Sequence, residues 1–256
     1  PMLSFYGPFV AHQPLMLTAA LITLYLWSRT ERKAAEFSLW PTVLVAILGA
    51  FTAWPWFLFA FFTGLPILLR YRSLSERQRK WLLVFSVGTI LGAALVLMHT
   101  AWQSGASWDD VEKLFSQRAK GKGVSVGSLV TKMQGPWSQL FNPYLCVLSA
   151  LYLFRLGLRK RNGERCPEAP AALAFLATGV LWTFMFKQGA SVHEYWPWYT
   201  APFLVISASA LFDDLRRQLP TFKPLVRHGA IALPLLLIVA TGIGTTYGRH
   251  LHPSPS

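Results

Sequence analysis

Long apolar runs alternate with short polar links along the whole of this chain. Most runs are about 15 to 20 residues long, close to the length that an α-helix needs to cross a bilayer. Helices suit such runs because each segment in lipid must satisfy its own backbone hydrogen bonds. The pattern therefore predicts an all-α, polytopic integral membrane protein with about eight transmembrane helices. Single crossings are predicted at 8–27, 81–98, 140–154, 170–186, 196–212 and 229–247.

One apolar stretch, 39–69, is too long for one crossing and too short for two. Basic links flank it on both sides, so its two ends are expected on the same membrane face. The sequence Trp54-Pro55-Trp56 falls at its middle, and proline breaks a helix there. We expect two short helices that form a shallow hairpin.

The distribution of Lys and Arg orients the crossings. Four links assigned to the inner side hold 17 of the 24 cations, and five of the other seven lie in one long outer loop. Inner links are typically rich in cations, whereas long loops carry little orienting weight. We therefore expect both ends of the chain outside and the basic links inside. This clustering, together with 53% hydrophobic residues, explains the formal charge of +13 without a nucleic-acid partner.

The start of the chain bears on its completeness. It opens with Pro1, and no signal peptide is visible. An outside start then needs an odd number of earlier crossings. We expect residues 1–256 to be a single transmembrane domain, the C-terminal part of a longer protein, with 100–139 as its outer, periplasmic loop.

The polar stretch between the crossings at 170–186 and 196–212 carries unusual chemistry. It reads Lys187-Gln-Gly-Ala-Ser-Val-His193-Glu194-Tyr195-Trp196-Pro-Trp198-Tyr199. Its aromatic residues are typical of the belt at the depth of the lipid headgroups. A turn between helices, however, needs neither His193 nor Glu194. We predict that these two residues are catalytic and that Lys187 and Tyr195 bind substrate. An anchoring role for the whole stretch is the alternative.

The long outer loop begins with the signal of a short helix. Ser107 is placed to cap it, and acids follow in the first turn, where the helix dipole favours negative charge. Apolar residues recur at helical spacing and predict a helix lying along the membrane surface. The acids are Asp109, Asp110 and Glu112, and the apolar stripe is Trp108, Val111, Leu114 and Phe115.

The segment after this helix, from Arg118 to Ser128, alternates cations with glycine and small hydroxyls. Flexible backbone can present N–H groups to a phosphate, and Lys or Arg can supply charge. We predict that Arg118, Lys120 and Lys122 bind the phosphate of a lipid substrate. The spacing is not that of a P-loop, and a solvated, flexible loop is the alternative.

Three imidazoles are expected at the outer face. His12 begins the first crossing, His99 ends the crossing at 81–98, and His193 lies in the polar stretch. We place His12 among the substrate-binding residues. A divalent metal on these imidazoles is an open alternative, although no short spacing such as His-x-x-x-His occurs. We expect no other cofactor.

Four short motifs, together with the order of helices and the loop sizes, resemble a known family. They are Phe9-Val-Ala-His12-Gln13-Pro14, the hairpin through Gly49-Ala-Phe-Thr52-Ala53-Trp54-Pro55, the loop end Phe141-Asn142-Pro143, and His193-Glu194-Tyr195-Trp196 before a crossing with Pro202. The pattern resembles the polyprenol-phosphate-dependent glycosyltransferases of the GT-C fold, whose relatives include aminoarabinose transferases and protein O-mannosyltransferases.

The resemblance implies transfer of a sugar from a polyprenyl-phosphate donor to a lipid, glycan or protein acceptor. It places the reaction at the periplasmic face of a bacterial inner membrane. The acidic catalytic residue of the family sits in the first outward loop, which here would precede Pro1. Glu194 would then be an accessory base, and His193 a hydrogen-bond partner of the phosphate or the acceptor.

Two other functions stay open. A flippase-like transporter of lipid-linked glycans should line its cavity with cations, but the predicted crossings carry charge only at their ends. A structural membrane subunit would need neither the pair His193 and Glu194 nor the loop that alternates glycine with lysine.

Overall fold

The computed structural model describes residues 12–31, 38–104, 109–110, 112–113, 116, 125–132, 143–187 and 199–218, and the single residues 229, 232, 236 and 237. This part of the chain is all-α, as predicted, and contains no strand. Its main helices are α1 (His12–Glu31), α2 (Trp40–Thr52), α3 (Pro55–Leu69), α4 (Glu76–Ser104), α5 (Pro143–Arg161), α6 (Ala169–Met185) and α7 (Ala201–Gln218). A 3-10 turn, Tyr71–Ser73, lies between α3 and α4.

The helices extend beyond the predicted crossings into the polar links. α4 begins at Glu76 and α5 continues to Arg161, so part of each link predicted at 70–80 and 155–168 is helical. The reason is local, because Arg, Lys, Glu and Leu are good helix formers. Cations in the last turn of α5 also interact favourably with the negative end of the helix dipole. The crossing predicted at 229–247 lies almost wholly outside the described residues.

Among the described helices, α4 alone contains a segment that is both long and apolar enough to cross a membrane. That segment, Glu76–Trp102, has 27 residues. Four other apolar helical segments in the described part are shorter, with 10–17 residues each. They are Leu15–Thr30, Trp40–Thr52, Pro55–Leu69 and Ala169–Met185.

The contacts divide the chain into two compact units. The first comprises Pro1–Leu129 and Leu173–Thr200, and the second comprises Val130–Ala172 and Ala201–Ser256. Helices α1 to α4 therefore belong to the first unit, and α5 and α7 belong to the second. α6 begins in the second unit and continues in the first. The single transmembrane domain over 1–256 stays a prediction.

The predicted break at Pro55 is confirmed. α2 ends at Thr52, Ala53 has extended backbone (φ −162°, ψ 141°), and α3 begins at Pro55. Proline suits the first helical position because its missing N–H has no helical partner there. Trp56, in the first turn of α3, is fully buried and its ring lies directly on Gly49 of α2, where a Cβ would collide with it. The two short helices are thus held together at their junction.

Small residues allow α2 and α4 to approach closely. A Cβ on Gly88 would lie 2.9 Å from the Cβ of Ala46, and one on Gly92 would lie 2.5 Å from the Cβ of Ala50. These pairs advance together along both helices, so α2 and α4 run parallel. Paired small residues four positions apart are typical of closely packed membrane helices.

The start of α4 is fixed by a reciprocal capping box. The backbone N–H of Gln78 donates to Oγ of Ser75 at 3.3 Å, and the backbone N–H of Ser75 donates to Oε1 of Gln78 at 2.9 Å. Two donors that lack helical partners are satisfied in this way. The charge pattern predicts a polar link at these residues, whereas the structure begins a helix there.

In the second unit, α5 and α7 pack against each other. The rings of Tyr152 and Phe203 lie 6.4 Å apart in an edge-on arrangement. One turn further along α5, Arg155 pairs with Asp214 near the end of α7. Because both contacts advance in the same direction, α5 and α7 also run parallel.

Candidate functional site

The predicted catalytic residues, His193 and Glu194, and the predicted substrate residue Tyr195 lie outside the described residues. The structure describes both flanks of their stretch. On one flank, Lys187 is half-buried just after the end of α6. On the other flank, Tyr199 and α7 follow.

Both flanks lie against the last turns of α6. A Cβ on Gly179 would lie 2.8 Å from the backbone nitrogen of Thr200 and 3.0 Å from the carbonyl carbon of Tyr199. The ring of Tyr199 is 6.4 Å from that of Trp182, which in turn lies 4.4 Å from the ring of Phe186. The chain that leaves α6 at Phe186 therefore returns to the same helix end. Gly179 permits this return because it has no side chain.

Tyr199 is the one aromatic residue of this stretch that the structure describes, and it is buried. Its side chain is only 5% exposed, and the neighbouring Thr200 is 2% exposed. Tyr199 is buried because it packs against Trp182 within the protein. A belt residue would instead expose its ring to the headgroup region. Tyr199 therefore has a structural role in closing the stretch.

The other predicted substrate residues are placed only in part. The backbone of His12 begins α1, but its side chain lies outside the described part. Arg118, Lys120 and Lys122 also lie outside it. The phosphate-binding hypothesis for these four residues therefore stays a prediction.

The loop that contains those cations ends earlier than predicted. Residues 126–132 are helical, and Oγ of Ser125 accepts the backbone N–H of Ser128 at 3.0 Å. Ser125 is thus an N-cap, and Leu129 is buried with 1% exposure. The hydroxyl of Ser125 therefore stabilises a helix start. The alternative of a solvated, flexible loop does not hold for 126–128, which are helical.

The predicted surface helix of the outer loop is seen at a few positions. Asp109, Asp110, Glu112 and Lys113 have helical backbone and exposed side chains. The four residues of the apolar stripe lie outside the described residues. The location of this helix along a membrane surface therefore stays a prediction.

A small apolar cavity lies beside the junction of α2 and α3. Its volume is 190 Å³, and its lining is Trp54, Phe57, Ala93, Val96 and Leu97. The pocket is partly open to the surface, and its lining is wholly apolar. His99, one turn beyond Val96 on α4, is half-buried with its ring 5.6 Å from that of Phe51.

The metal alternative gains no support from the described residues, in which no three His, Cys, Asp or Glu side chains gather. The side chains of His12 and His193, two of the three predicted imidazoles, lie outside this part of the chain. The metal hypothesis therefore stays a prediction.

The structure shows an ion-pair network at the ends of α5 and α7 that the sequence pattern does not predict. Arg155 donates from Nη1 to Oε1 of Glu168 at 2.9 Å and from Nε to Oδ2 of Asp214. Arg159 donates from Nη2 to Oδ1 of Asp214 at 3.2 Å and pairs through Nε with Glu164 at 3.2 Å. One feature of the sequence could have indicated this network: Glu164, Glu168 and Asp214 lie in or beside links that are otherwise basic.

The network lies in a partly buried environment. The side chains of Arg155 and Asp214 are 15% and 17% exposed. Burial alone lowers the pKa of Arg155, but hydrogen bonds from its guanidinium to Asp214 and Glu168 outweigh burial and raise that pKa above its ordinary value. Arg155 therefore stays charged and serves to hold α5 against α7.

No family model, curated protein or solved structure matches this chain.

Proposed function

We propose that this chain is part of a polytopic membrane glycosyltransferase that moves a sugar from a polyprenyl-phosphate donor to a lipid, glycan or protein acceptor. The reaction takes place at the outer face of a bacterial inner membrane. About eight helices cross the bilayer, with the basic links inside. His193 and Glu194 act on the reacting groups, and Lys187 and Tyr195 help to bind the donor.

The membrane part of the proposal is carried by the two faces of α4. One face is buried in the protein and includes Trp81 and Phe85. The opposite face is equally apolar but exposed: Leu83 is 64%, Ile90 67% and Met98 68% exposed. A long helix that exposes such a face in water would be an aggregation hazard. In lipid the same face is solvated by acyl chains, which favours the bilayer as its surroundings.

The choice of reaction is supported by the chemistry of the polar stretch. Cleavage of a sugar–phosphate bond develops negative charge on the departing phosphate, so a placed donor stabilises the transition state more than the ground state. His193 can be that donor, and Lys187, at the end of α6, can add positive charge. Glu194 either orients the imidazole or accepts a proton from the acceptor.

A flippase is the less well supported function. It needs cations that are free to accompany a phosphate through the membrane. The half-buried arginines Arg155 and Arg159 do not offer such charge, because Asp214, Glu164 and Glu168 already pair with them. The transferase therefore remains the first proposal.

The test is sugar transfer by the full-length protein in membranes. His193→Ala should lower turnover roughly ten- to a thousandfold, the range for one lost transition-state donor or acid–base group. Trp196→Phe and Trp198→Phe are matched controls, because a belt residue needs only an aromatic ring at that depth. Protein levels are matched by immunoblot. Wild-type turnover in His193→Ala with failure of the Trp variants would make the stretch an anchor and move the site elsewhere.

A further inference from the structure

The link between α3 and α4, residues 70–80, has a large excess of positive charge. It contains five cations and a single carboxylate, Glu76. That carboxylate is engaged by Lys80 at 2.7 Å, one helical turn away. The link thus carries four more cations than carboxylates.

Arg79 shapes this link into a defined turn. Its Nη2 donates to the backbone carbonyl of Arg72 at 3.2 Å, and its guanidinium carbon lies 5.2 Å from the centre of the Tyr71 ring. The turn is further closed by the N–H of Ser73, which donates to the carbonyl of Arg70 at 2.9 Å. The side chains of Arg70 and Arg72 are thereby held on the surface, where both are exposed.

The surface beside these two cations is apolar. Leu68 is 55% exposed and Leu69 is 79% exposed at the end of α3, and the ring of Tyr71 is 46% exposed. Cations next to exposed leucines match a ligand that carries an anionic head and a hydrocarbon tail. A free phosphate ion would use the cations alone and leave the leucines in water.

We propose that this turn binds an anionic phospholipid of the inner leaflet. The headgroup phosphate lies between the guanidinium groups of Arg70 and Arg72, which present planar, paired N–H donors to such oxygens. The acyl chains run along Leu68 and Leu69. The site rests on the membrane placement in the proposed function, but it does not depend on the transfer reaction.

The experiment measures lipid binding to the purified full-length protein. Native mass spectrometry from detergent micelles, with titrated phosphatidylglycerol or phosphatidylcholine, gives the affinity for each lipid. Inorganic phosphate and glycerol 3-phosphate are titrated in parallel to distinguish a headgroup-only site. The variant is Arg70→Gln with Arg72→Gln. The matched control is Arg216→Gln with Arg217→Gln, which removes two exposed cations that already pair with Asp213.

Wild type should bind phosphatidylglycerol more tightly than phosphatidylcholine. Each cation near an anionic lipid contributes about 1 kcal/mol, so loss of both in the Arg70/Arg72 variant should lower phosphatidylglycerol affinity roughly thirtyfold. The control should lose less than about threefold, and circular dichroism should show unchanged helix content in both. Equal losses in variant and control, or no preference for phosphatidylglycerol, would overturn the site. Binding of inorganic phosphate as tight as that of the lipid would also overturn it.

Vesicle flotation distinguishes failure of the phospholipid site from failure of the proposed function. A protein that inserts into vesicles but shows no lipid preference contradicts only the phospholipid site. A protein that does not insert contradicts both. Loss of sugar transfer in His193→Ala with unchanged lipid binding supports the transferase and the lipid site as separate features.

Discussion

Arg155 on α5 donates from Nε to Oδ2 of Asp214 on α7, a residue 59 positions later in the chain. Both residues lie near the C-terminal ends of their helices, so the pair joins two parallel helices at one end. In the proposed topology α5 and α7 both run inward, so the two helices are expected to be parallel. The contact also lies where the basic links were assigned to the inner side.

Removal of one partner from this pair should destabilise the protein. Asp214→Asn leaves Arg155 and Arg159 without their shared carboxylate in a partly buried site. We expect a loss of about 3 kcal/mol in the free energy of unfolding, at the low end for buried pairs because some exposure remains. Asp213→Asn is the matched control. Asp213 is 40% exposed and pairs only with exposed arginines, so its loss should stay below about 1 kcal/mol.

The measurement is denaturant unfolding in mixed micelles, followed by far-UV circular dichroism. Similar losses for the two variants would mean that the buried network does not hold α5 and α7 together.

The close approach of α2 and α4 predicts a second destabilising change. Gly92→Ala places a methyl group 2.5 Å from the Cβ of Ala50, so the helices must separate. Overpacking of this kind costs about 1–3 kcal/mol. Gly64→Ala in α3 is the control, because no atom lies within 4 Å of the new methyl group. That change should be neutral or stabilise by up to about 1 kcal/mol. Gly92→Ala should lower the thermal unfolding temperature, whereas Gly64→Ala should leave it unchanged or raise it. A neutral Gly92→Ala would contradict the close packing of α2 against α4.

Topology can be tested by cysteine labelling. The native Cys146 and Cys166 are first replaced by serine, and single cysteines are placed at Ser73, Gly163 or Gly105. A membrane-impermeant maleimide should label the first two positions only in inside-out vesicles. It should label position 105 only in intact cells. Labelling of positions 73 and 105 from the same side would rule out the eight-helix arrangement.

The cations of the outer loop predict an effect on donor binding. Simultaneous replacement of Arg118, Lys120 and Lys122 by Gln should weaken binding of the polyprenyl-phosphate sugar at least tenfold, since each hydrogen bond to a charged group contributes about 1.5–3 kcal/mol. Lys113→Gln, at an exposed position of the same loop, should have little effect. Equilibrium binding of a labelled donor measures the difference. Unchanged affinity in the triple variant would identify a solvated loop.

The existence of the helices could be predicted from the sequence, but much of their packing could not. Apolar runs and Pro55 predicted α2, α3 and the break between them. The buried face of α4 could not be predicted, because its exposed face carries Leu83 and Ile90 and is just as apolar. A helix that is apolar all round has no periodic signal that shows which side faces the protein.

The candidate site shows the same division. Its place in the link between α6 and α7 could be predicted, because several polar residues follow Lys187 in the sequence. The burial of Tyr199 could not be predicted, because it depends on a contact with Trp182 across the link. The pairing of Arg155 with Asp214 likewise depends on how two helices are rotated against each other, which local spacing does not determine.

The shortness of α2 has a consequence for the way in which the chain enters a membrane. Its 13 residues extend about 20 Å, less than the roughly 30 Å of a hydrocarbon layer. In the proposed topology, neither α2 nor α3 therefore spans the hydrocarbon layer alone, and the two enter it together. α4 is synthesised after them, and its Gly88 and Gly92 then close on the α2 helix. In the proposed topology, contact with α4 would therefore retain the α2–α3 hairpin in the membrane once α4 has been synthesised.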